Sequence, residues 1–458
     1  MSRYRLLLLI LFSVSSNADT FNIEEAWRAV QERNEGLKAA DQGVVHARKM
    51  RDGAASMTYM PRVDLHGSYT HLSKPIDLDL SEPLNNIGGS LPIPLPPISS
   101  DDATVDLSEQ DVFLANLSIL WPIYMGGKTL HLKDIREAQI DESKAKLELK
   151  RQKSFILLVK YYYGALMSET YYKMRQDVEH AFEMHWYHAK KFKEQGQIAE
   201  VELLNAQVQY DKSTSETLKA KHKYEIAVSA LKKMLKEESD ISLSSQLFIN
   251  DDLKTEEYYV ERAKSGYAAL DLLDAKRRQS ESFVEIEKGS YMPTLSAFGN
   301  YTLYKDDSII SKSMPDWFAG VAVNINLLSA TGRSEKYEAA RVVNQQVSLL
   351  RAQAVQDISI LAEKTYKEVQ LYLEQYKTLD SSLRLAKENV RLREKSFSEG
   401  LSTSLEMVDA ELFLAAIKTE RLNVAYMYIQ KLSQLLVLSG ESSLFITMAQ
   451  QGRKVENE

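Results

Sequence analysis

The sequence predicts a helix-dominated fold that also carries four short strands of membrane type and contains the same unit twice. Three observations support this fold class. Two long proline-free segments place apolar residues every three or four positions, which is typical of packed helices. Four short segments alternate apolar and polar residues, as a two-faced sheet requires. The same motifs recur, in the same order, in both halves of the chain.

The composition excludes several classes of protein. The chain has 458 residues, of which 44% are hydrophobic and 26% charged, so it is neither disordered nor a polytopic helical membrane protein. It contains no cysteine, which excludes disulfides, thiolate metal sites, cysteine nucleophiles and a lipid attached to an N-terminal cysteine. A net charge of −7 without a basic tract argues against nucleic acid as a partner.

Residues 1–18 have the pattern of a secretory signal peptide. Arg3 and Arg5 precede an apolar run at residues 6–12, and Ser16 and Ala18 form a small-residue cleavage site before Asp19. The apolar run is too short to cross a bilayer as a helix. No later segment reaches about 18 consecutive apolar residues, so any membrane-spanning part must consist of strands.

An internal duplication organises the rest of the chain. The segment MPRVDLHGSYT at residues 60–70 matches MPTLSAFGNYT at 292–302, and GQIAEVELLNA at 196–206 matches GLSTSLEMVDA at 400–410. We therefore predict a first repeat at residues 19–235, an equatorial linker at 236–256, a second repeat at 257–439 and a C-terminal tail at 440–458. Each repeat has a hairpin tip, near residue 196 in the first and near residue 400 in the second.

Each repeat is predicted to contain one very long helix. Residues 128–195 and 333–399 contain no proline, and at 1.5 Å per residue each segment would span roughly 100 Å. The shorter helices predicted at residues 23–57, 201–235, 255–290 and 405–438 would, stacked end to end in pairs, match that length. This arithmetic favours a cylinder in which each long helix packs beside two short ones.

Four strands are predicted at residues 62–72, 113–121, 294–304 and 317–327. A soluble, half-buried sheet has the same alternation, but the export signal and the absence of a partner layer favour lipid. An open four-stranded sheet would leave two unpaired edges in the membrane, so several chains must close one barrel. Two chains would give eight strands and a filled lumen, and three would give twelve strands and a pore.

The order of elements, the two hairpin tips and the junction PIYMGGK at residues 122–128 resemble the outer-membrane efflux protein family, the TolC-like channel-tunnels. A weaker copy of the junction, without its proline, lies at residues 327–333. The resemblance covers nearly the whole mature chain. It implies a homotrimer with a twelve-stranded β-barrel in outer-membrane lipid and a long α-helical barrel in the periplasm of a Gram-negative type envelope.

The resemblance also implies partners and site residues. A periplasmic adaptor (membrane fusion) protein and an inner-membrane pump of RND, ABC or MFS type would open this passive duct for efflux or type I secretion. Carboxylate rings would close the periplasmic entrance, at positions that here hold Glu406, Asp409 and Glu202. The adaptor would meet the hairpin tips at Gly196, Gln197, Ile198, Gly400, Leu401 and Ser402.

Physical chemistry allows two interpretations of Glu406 and Asp409. As stacked rings in a trimer, they would repel one another, favour cations and shift their pKa values upward. Alternatively, a carboxylate in the first turns of a helix only complements the helix dipole. The tyrosine and arginine that latch the closed tip in some family members are replaced here by Phe397 and Ser402.

The remaining signals point to no enzyme. His185 and His188 could seat a metal with Glu183, but a surface pair is the favoured interpretation, and no cofactor or catalytic motif occurs. The acidic, proline-rich segment at residues 73–111 is expected to be a solvated disordered loop, and its apolar core at residues 91–98 leaves open a lid folded over the mouth. The sequence thus predicts an outer-membrane exit duct, and the alternative is an exported, non-conducting coiled-coil scaffold. Neither interpretation names the exported substrate.

Overall fold

The structure is a computed structural model that describes residues 19–89, 96–399 and 401–455. The predicted signal peptide and the tip residue Gly400 lie outside these residues. Within the described ranges, none of the helices combines the length and the apolar character that crossing a membrane requires.

Helices dominate the chain, and two of them are much longer than the rest. The long helices α5 and α10 contain 67 and 66 residues, which corresponds to roughly 100 Å each. The helices are α1 Ile23–Arg33, α2 Glu35–Tyr59, α3 Ser81–Gly89, α4 Ser100–Ala103, α5 Lys128–Glu194, α6 Glu200–Leu235, α7 Glu256–Gly266, α8 Ala268–Lys288, α9 Ile309–Ser313, α10 Arg333–Ser398, α11 Ser404–Leu438 and α12 Leu444–Gln451.

Within residues 19–89, 96–399 and 401–455, the strands form one four-stranded sheet and three two-stranded pairs. They are β1 Asp19–Phe21, β2 Arg62–His71, β3 Asp77–Asp79, β4 Thr104–Asp106, β5 Asp111–Met125, β6 Ile241–Leu243, β7 Phe248–Ile249, β8 Thr294–Lys305, β9 Trp317–Asn324 and β10 Arg453–Lys454. The larger sheet is antiparallel with the order β2-β5-β8-β9. Compared with the predicted strands, β5 extends further at both ends and β9 ends three residues earlier.

The chain divides into two compact units that do not coincide with the two repeats. One unit comprises residues 1–45, 141–274 and 349–458, and the other comprises residues 46–140 and 275–348. Each unit therefore draws on both repeats. In the four-stranded sheet the pairing of β5 with β8 joins strands from different repeats, so this sheet requires both repeats.

The register of the sheet places the apolar positions of all four strands on one face. Leu65 lies beside Leu117, Leu117 beside Tyr301, and Tyr301 beside Trp317. The next rows align Val63, Ile119, Gly299 and Ala319, and then Trp121, Ala297 and Val321. The opposite face carries the polar row of Asp64, Ser118 and Asn300, continued by Phe318. Side chains such as Leu65 (72% exposed) and Trp317 (66% exposed) have no cover in the single chain.

Both outer edges of this sheet are open. Strands β2 and β9 each pair with one neighbour, and within the described residues no other strand covers their outer edges. An edge of this kind presents unpaired N–H and C=O groups that can pair with another chain. The sheet thus has one exposed apolar face and two edges that remain to be paired.

The core of the first unit is an aromatic cluster in which helices and linker meet. Phe445 is fully buried and contacts Phe155, Tyr163 and Phe248, with ring centroids 5.6, 6.0 and 5.7 Å apart. Trp27 adds an edge-on contact to Phe155 at 5.1 Å. Such edge-to-face pairs stabilise beyond the area that they bury, by about 0.5–1.5 kcal/mol each.

Both ends of the described chain pair with the linker between the repeats. Strand β1 runs parallel to β6, and β10 runs antiparallel to β7. The Tyr162 hydroxyl donates to the Phe21 carbonyl oxygen at 2.7 Å and accepts from the Ser245 N–H at 3.1 Å, which connects the N-terminal strand to the linker. The Tyr428 hydroxyl donates to the Asn250 carbonyl oxygen. The segment predicted as a tail is therefore folded through residue 455, because Phe445 and Ala449 complete the core.

The acidic segment predicted to be disordered contains regular structure. Strands β3 and β4 pair over three residues, and Asn85 exchanges two hydrogen bonds with the backbone of Ile98, at 2.6 and 2.8 Å. These contacts satisfy backbone N–H and C=O groups that would bind water in a disordered loop. Residues 90–95, inside the proline-rich run, lie outside the described residues.

Candidate functional site at the hairpin tips

The first tip joins α5 to α6 through a left-handed glycine. Gly196 has a φ of 73°, a conformation that costs other residues about 1–2 kcal/mol. The Gln197 N–H donates to the Phe192 carbonyl oxygen at 2.8 Å, which closes the end of the helix in a Schellman motif. Gly196 and Gln197 are exposed, and Ile198 is half-buried.

The second tip repeats this closure between α10 and α11. The Leu401 N–H donates to the Ser396 carbonyl oxygen at 2.8 Å, the same five-residue separation as in the first tip. Gly400, the predicted docking residue between them, is outside the described residues. The hairpins thus share a hydrogen bond that the duplicated sequence predicts.

Glu406 caps the helix that leaves the second tip. Its carboxylate accepts a hydrogen bond from the Thr403 N–H at 3.1 Å, and the Glu406 N–H donates to Thr403 Oγ1 at 3.3 Å, forming a capping box. The Ser402 hydroxyl donates to the same carboxylate at 2.6 Å. Arg393 approaches it from α10 at 3.2 Å.

These contacts favour the ionised form of Glu406. The hydrogen bond from Ser402, followed by that from the Thr403 backbone, lowers the pKa of the Glu406 carboxyl below its ordinary value. In the single chain, Glu406 therefore behaves as the helix-capping interpretation describes. The pattern Thr-x-x-Glu at residues 403–406 is the signature of a capping box, so this role of Glu406 can be read from the sequence.

The other two predicted gate residues, Asp409 and Glu202, make fewer side-chain contacts than Glu406. Asp409 is exposed one turn further along α11, and Glu202 is half-buried in the first turn of α6. Neither forms a side-chain ion pair within the described part of the chain. Helix α6 lacks a side-chain cap at Ala199, so the two tips differ in how their returning helices begin.

Each tip also exposes large apolar side chains, which we call the tip apolar residues: Val201, Leu204, Leu401 and Leu405. Leu401 and Leu405 are 78% and 62% exposed, and Val201 and Leu204 are more than half exposed. Exposed leucine and valine beside a tight turn form a surface suited to contact with another helical protein.

Phe397 connects the two hairpins. Its ring lies 4.9 Å from that of His185 and 5.9 Å from that of Phe192, measured between centroids. His185 is only 7% exposed, so the prediction of a surface histidine pair was wrong for it, because Phe397 covers the ring. His188 is exposed, as predicted.

We expect the stability of the hairpins to depend on pH through His185. Burial, followed by the nearby charge of His188, lowers the pKa of His185 from 6.5 to about 4. The unfolded chain therefore binds a proton in the range where the folded chain does not, and stability is lost as pH falls from about 6.5 to 4. The lowered pKa corresponds to a loss of about 3 kcal/mol.

Thermal unfolding followed between pH 7 and pH 4 would measure this loss. His185→Phe removes the titrating group and should flatten the pH dependence in that interval. His222→Phe, which replaces an exposed histidine that lies beside Glu225 on α6, is the control for the loss of a histidine ring. An equal pH slope in the wild type and in His185→Phe would contradict the assignment.

The family follows from the whole sequence. The sequence profile of the outer membrane efflux protein family matches residues 27–236 and 260–441. The chain belongs to this family. It is accordingly an outer-membrane protein and an efflux channel, which confirms the location and the coarse function that the resemblance implied.

Solved structures support the fold of this efflux protein. The channel-forming protein CusC has a TM-score of 0.75 and 14% identity, with 94% of this chain and 96% of CusC covered. The CmeC outer membrane channel of Campylobacter jejuni has a TM-score of 0.72 and 13% identity, with coverages of 94% and 89%. The outer membrane protein VceC of Vibrio cholerae has a TM-score of 0.70 and 14% identity, with 91% of this chain and 96% of VceC covered. No curated protein gives a significant sequence match.

Proposed function

We propose that this efflux protein is the exit duct of a tripartite efflux or type I secretion system. Three copies would pair β2 of one chain with β9 of the next and so close a twelve-stranded barrel in the outer membrane. The observation that carries the proposal is the four-stranded sheet with one apolar face and two open edges. Closure would satisfy the edges, and lipid would cover the apolar face.

The long helices would extend from this barrel into the periplasm and form a helical tunnel. Helices α5 and α10, each about 100 Å long, are too polar to lie in lipid and long enough to reach far into that compartment. A periplasmic adaptor would dock on the tip apolar residues together with Gly196, Gln197, Ile198, Gly400 and Ser402. An inner-membrane pump would supply the energy, since the duct is passive.

At the periplasmic entrance, we propose Asp409 and Glu202 as the carboxylates that face the closed constriction, with Glu406 beside them. In three copies, Asp409 would form a ring of like charges that favours cations. Glu406 would contribute its charge to the same region while it holds the start of α11.

Single-channel conductance in a planar bilayer tests both the duct and the gate. We expect a small, cation-selective conductance from the wild type. Asp409→Asn should reduce the preference for potassium over chloride several-fold, because it removes a charge without removing a hydrogen bond to the helix end. Asp211→Asn, at an exposed position on α6, is the matched control.

Glu406→Gln separates the two roles of that residue. Glutamine keeps an acceptor at the third position of the capping box, so the stability should change little, whereas loss of the charge should change the selectivity if Glu406 acts at the gate. An unaltered selectivity in Asp409→Asn would remove Asp409 from the gate and leave the duct intact. Inserted protein without any conductance would favour the non-conducting scaffold.

A further inference from the structure

A polar recess lies where the four-stranded sheet meets the long helix of the second repeat. It has a volume of about 460 Å³ and belongs entirely to the unit formed by residues 46–140 and 275–348. Its walls come from the end of β9, the start of α10, the end of α8 and the first residue of α5. The predicted gate and docking tips belong to the other unit.

The recess carries an excess of positive charge. Lys128, Arg333 and Lys336 line it, against the single carboxylate of Glu287. Neither lysine forms an ion pair with any carboxylate in the described part of the chain, and Glu287 forms none either. Charged side chains that converge on one concavity without mutual neutralisation leave a net charge of +2 for a ligand to meet.

Arg333 is held in place without a carboxylate. Its guanidinium donates to the carbonyl oxygens of Asn326 at 2.8 Å and Ser290 at 3.2 Å, and it stacks 4.1 Å from the centroid of the Tyr291 ring. Carbonyl partners fix the orientation of a guanidinium but do not cancel its charge. The positive charge in the wall is therefore fixed before any ligand arrives.

The two helices contribute charge of the same sign. Lys128 is the first residue of α5 and Arg333 the first of α10, at equivalent positions of the two repeats (333 − 128 = 205). The first turn of a helix normally favours acidic residues, since its unpaired N–H groups are partially positive. The first turn of α5 contains Lys128 and no acidic residue, whereas the first turn of α10 contains Glu335 as well as Arg333. A bound anion would therefore complement the start of α5 and the cations of the recess.

The recess opens on the polar face of the sheet. Thr294, the first residue of β8, pairs with Asn324, the last residue of β9, and both residues line the recess. Alternation places Thr294 on the face of Ser296 and Asn300, opposite the apolar row that includes Leu295. A ligand in the recess would therefore come from water rather than from lipid.

We propose that this recess binds a soluble oxyanion of the phosphate type, which would reach it from the water on the polar face of the sheet. The inference rests on the proposed function, because that function makes the polar face line the lumen. Lys128 and Lys336 would contact the anion as mobile point charges. Arg333 would supply fixed positive charge, and the side-chain amide of Asn324 would donate a hydrogen bond, whereas the Thr294 hydroxyl already donates to the Asn324 carbonyl oxygen.

The test uses the full-length purified protein with inorganic phosphate as the probe. Phosphate binding is measured in phospholipid-free detergent from the broadening of the ³¹P resonance, and the single-channel conductance is measured in bilayers with and without added phosphate. We expect the double variant Lys128→Gln/Lys336→Gln to weaken phosphate binding at least tenfold and to relieve the inhibition of conductance by phosphate. Lys364→Gln, at an exposed position on α10 without an ion pair in the described residues, is the control and should match the wild type.

The outcomes separate this inference from the proposed function. Wild-type conductance with phosphate binding that the double variant leaves unchanged would overturn the oxyanion site and keep the duct. If anionic phospholipid binds at the recess and inorganic phosphate does not, the proposed site is also overturned, because the ligand is then a lipid headgroup. Phosphate binding lost in the double variant, in a protein that does not conduct, would support the site and reject the duct.

Discussion

Phe445→Ala is expected to lower the free energy of unfolding by about 3–5 kcal/mol, the range for removing a buried phenylalanine. The ring is fully buried, and three aromatic rings surround it at centroid distances of 5.6–6.0 Å. Its loss would leave a cavity beside Phe248, the residue at which the linker and the C-terminal strand pair. The damage should therefore spread to the attachment of β10.

Chemical unfolding followed by circular dichroism measures this change directly. Phe413→Ala is the matched control, because Phe413 lies on α11 with half of its surface exposed and should cost less than about 1 kcal/mol. Limited proteolysis should release the C-terminal segment from Phe445→Ala first. A loss no greater than that of the control would show that the segment from residue 440 onward is dispensable for the core.

Gly126→Ala is expected to be the most damaging single change at the junction of sheet and helix. A methyl group on Gly126 would lie 2.3 Å from the Gly289 carbonyl oxygen, and the backbone φ of 66° already disfavours any side chain. The left-handed conformation costs about 1–2 kcal/mol and overpacking a further 1–3 kcal/mol. Backbone on both sides must move, because Gly289 in turn faces the Gly126 carbonyl oxygen.

The control for this variant lies in the same sheet. Gly67→Ala places a methyl group with no heavy atom within 4 Å, and Gly67 lacks a positive φ. We expect Gly126→Ala to reduce the yield of folded, heat-modifiable protein in outer membranes several-fold, and Gly67→Ala to leave that yield unchanged. Equal yields for the two variants would contradict the close approach of Gly126 and Gly289.

The parts of the fold that follow local patterns could be predicted from the sequence. Helix α10 ends within two residues of its predicted limit because a glycine and a continuous apolar stripe define it. The register of the four-stranded sheet brings together the apolar positions that alternation identified, such as Leu117 and Tyr301. Both patterns repeat every few residues within one element, so they can be read from a single sequence.

Features that depend on distant partners could not be predicted in this way. The burial of His185 requires Phe397, which lies on another helix and far along the chain. The C-terminal segment is folded because β10 pairs with β7, and the whole second repeat separates these two strands along the chain. The gate stays a prediction for the same reason, because a ring of Asp409 side chains exists only when other copies are present.

The pairing of both chain ends with the linker has a consequence for how the protein is made. A chain exported from its N-terminus presents β1 long before β6 emerges, and β7 must wait for β10, the last strand of all. Contacts so distant in sequence form slowly, because a long loop must close first. The core around Phe445 cannot close on an incomplete chain. We therefore expect a chain that lacks β10 to keep an open core and to be cleaved by proteases more readily than the chain that contains it.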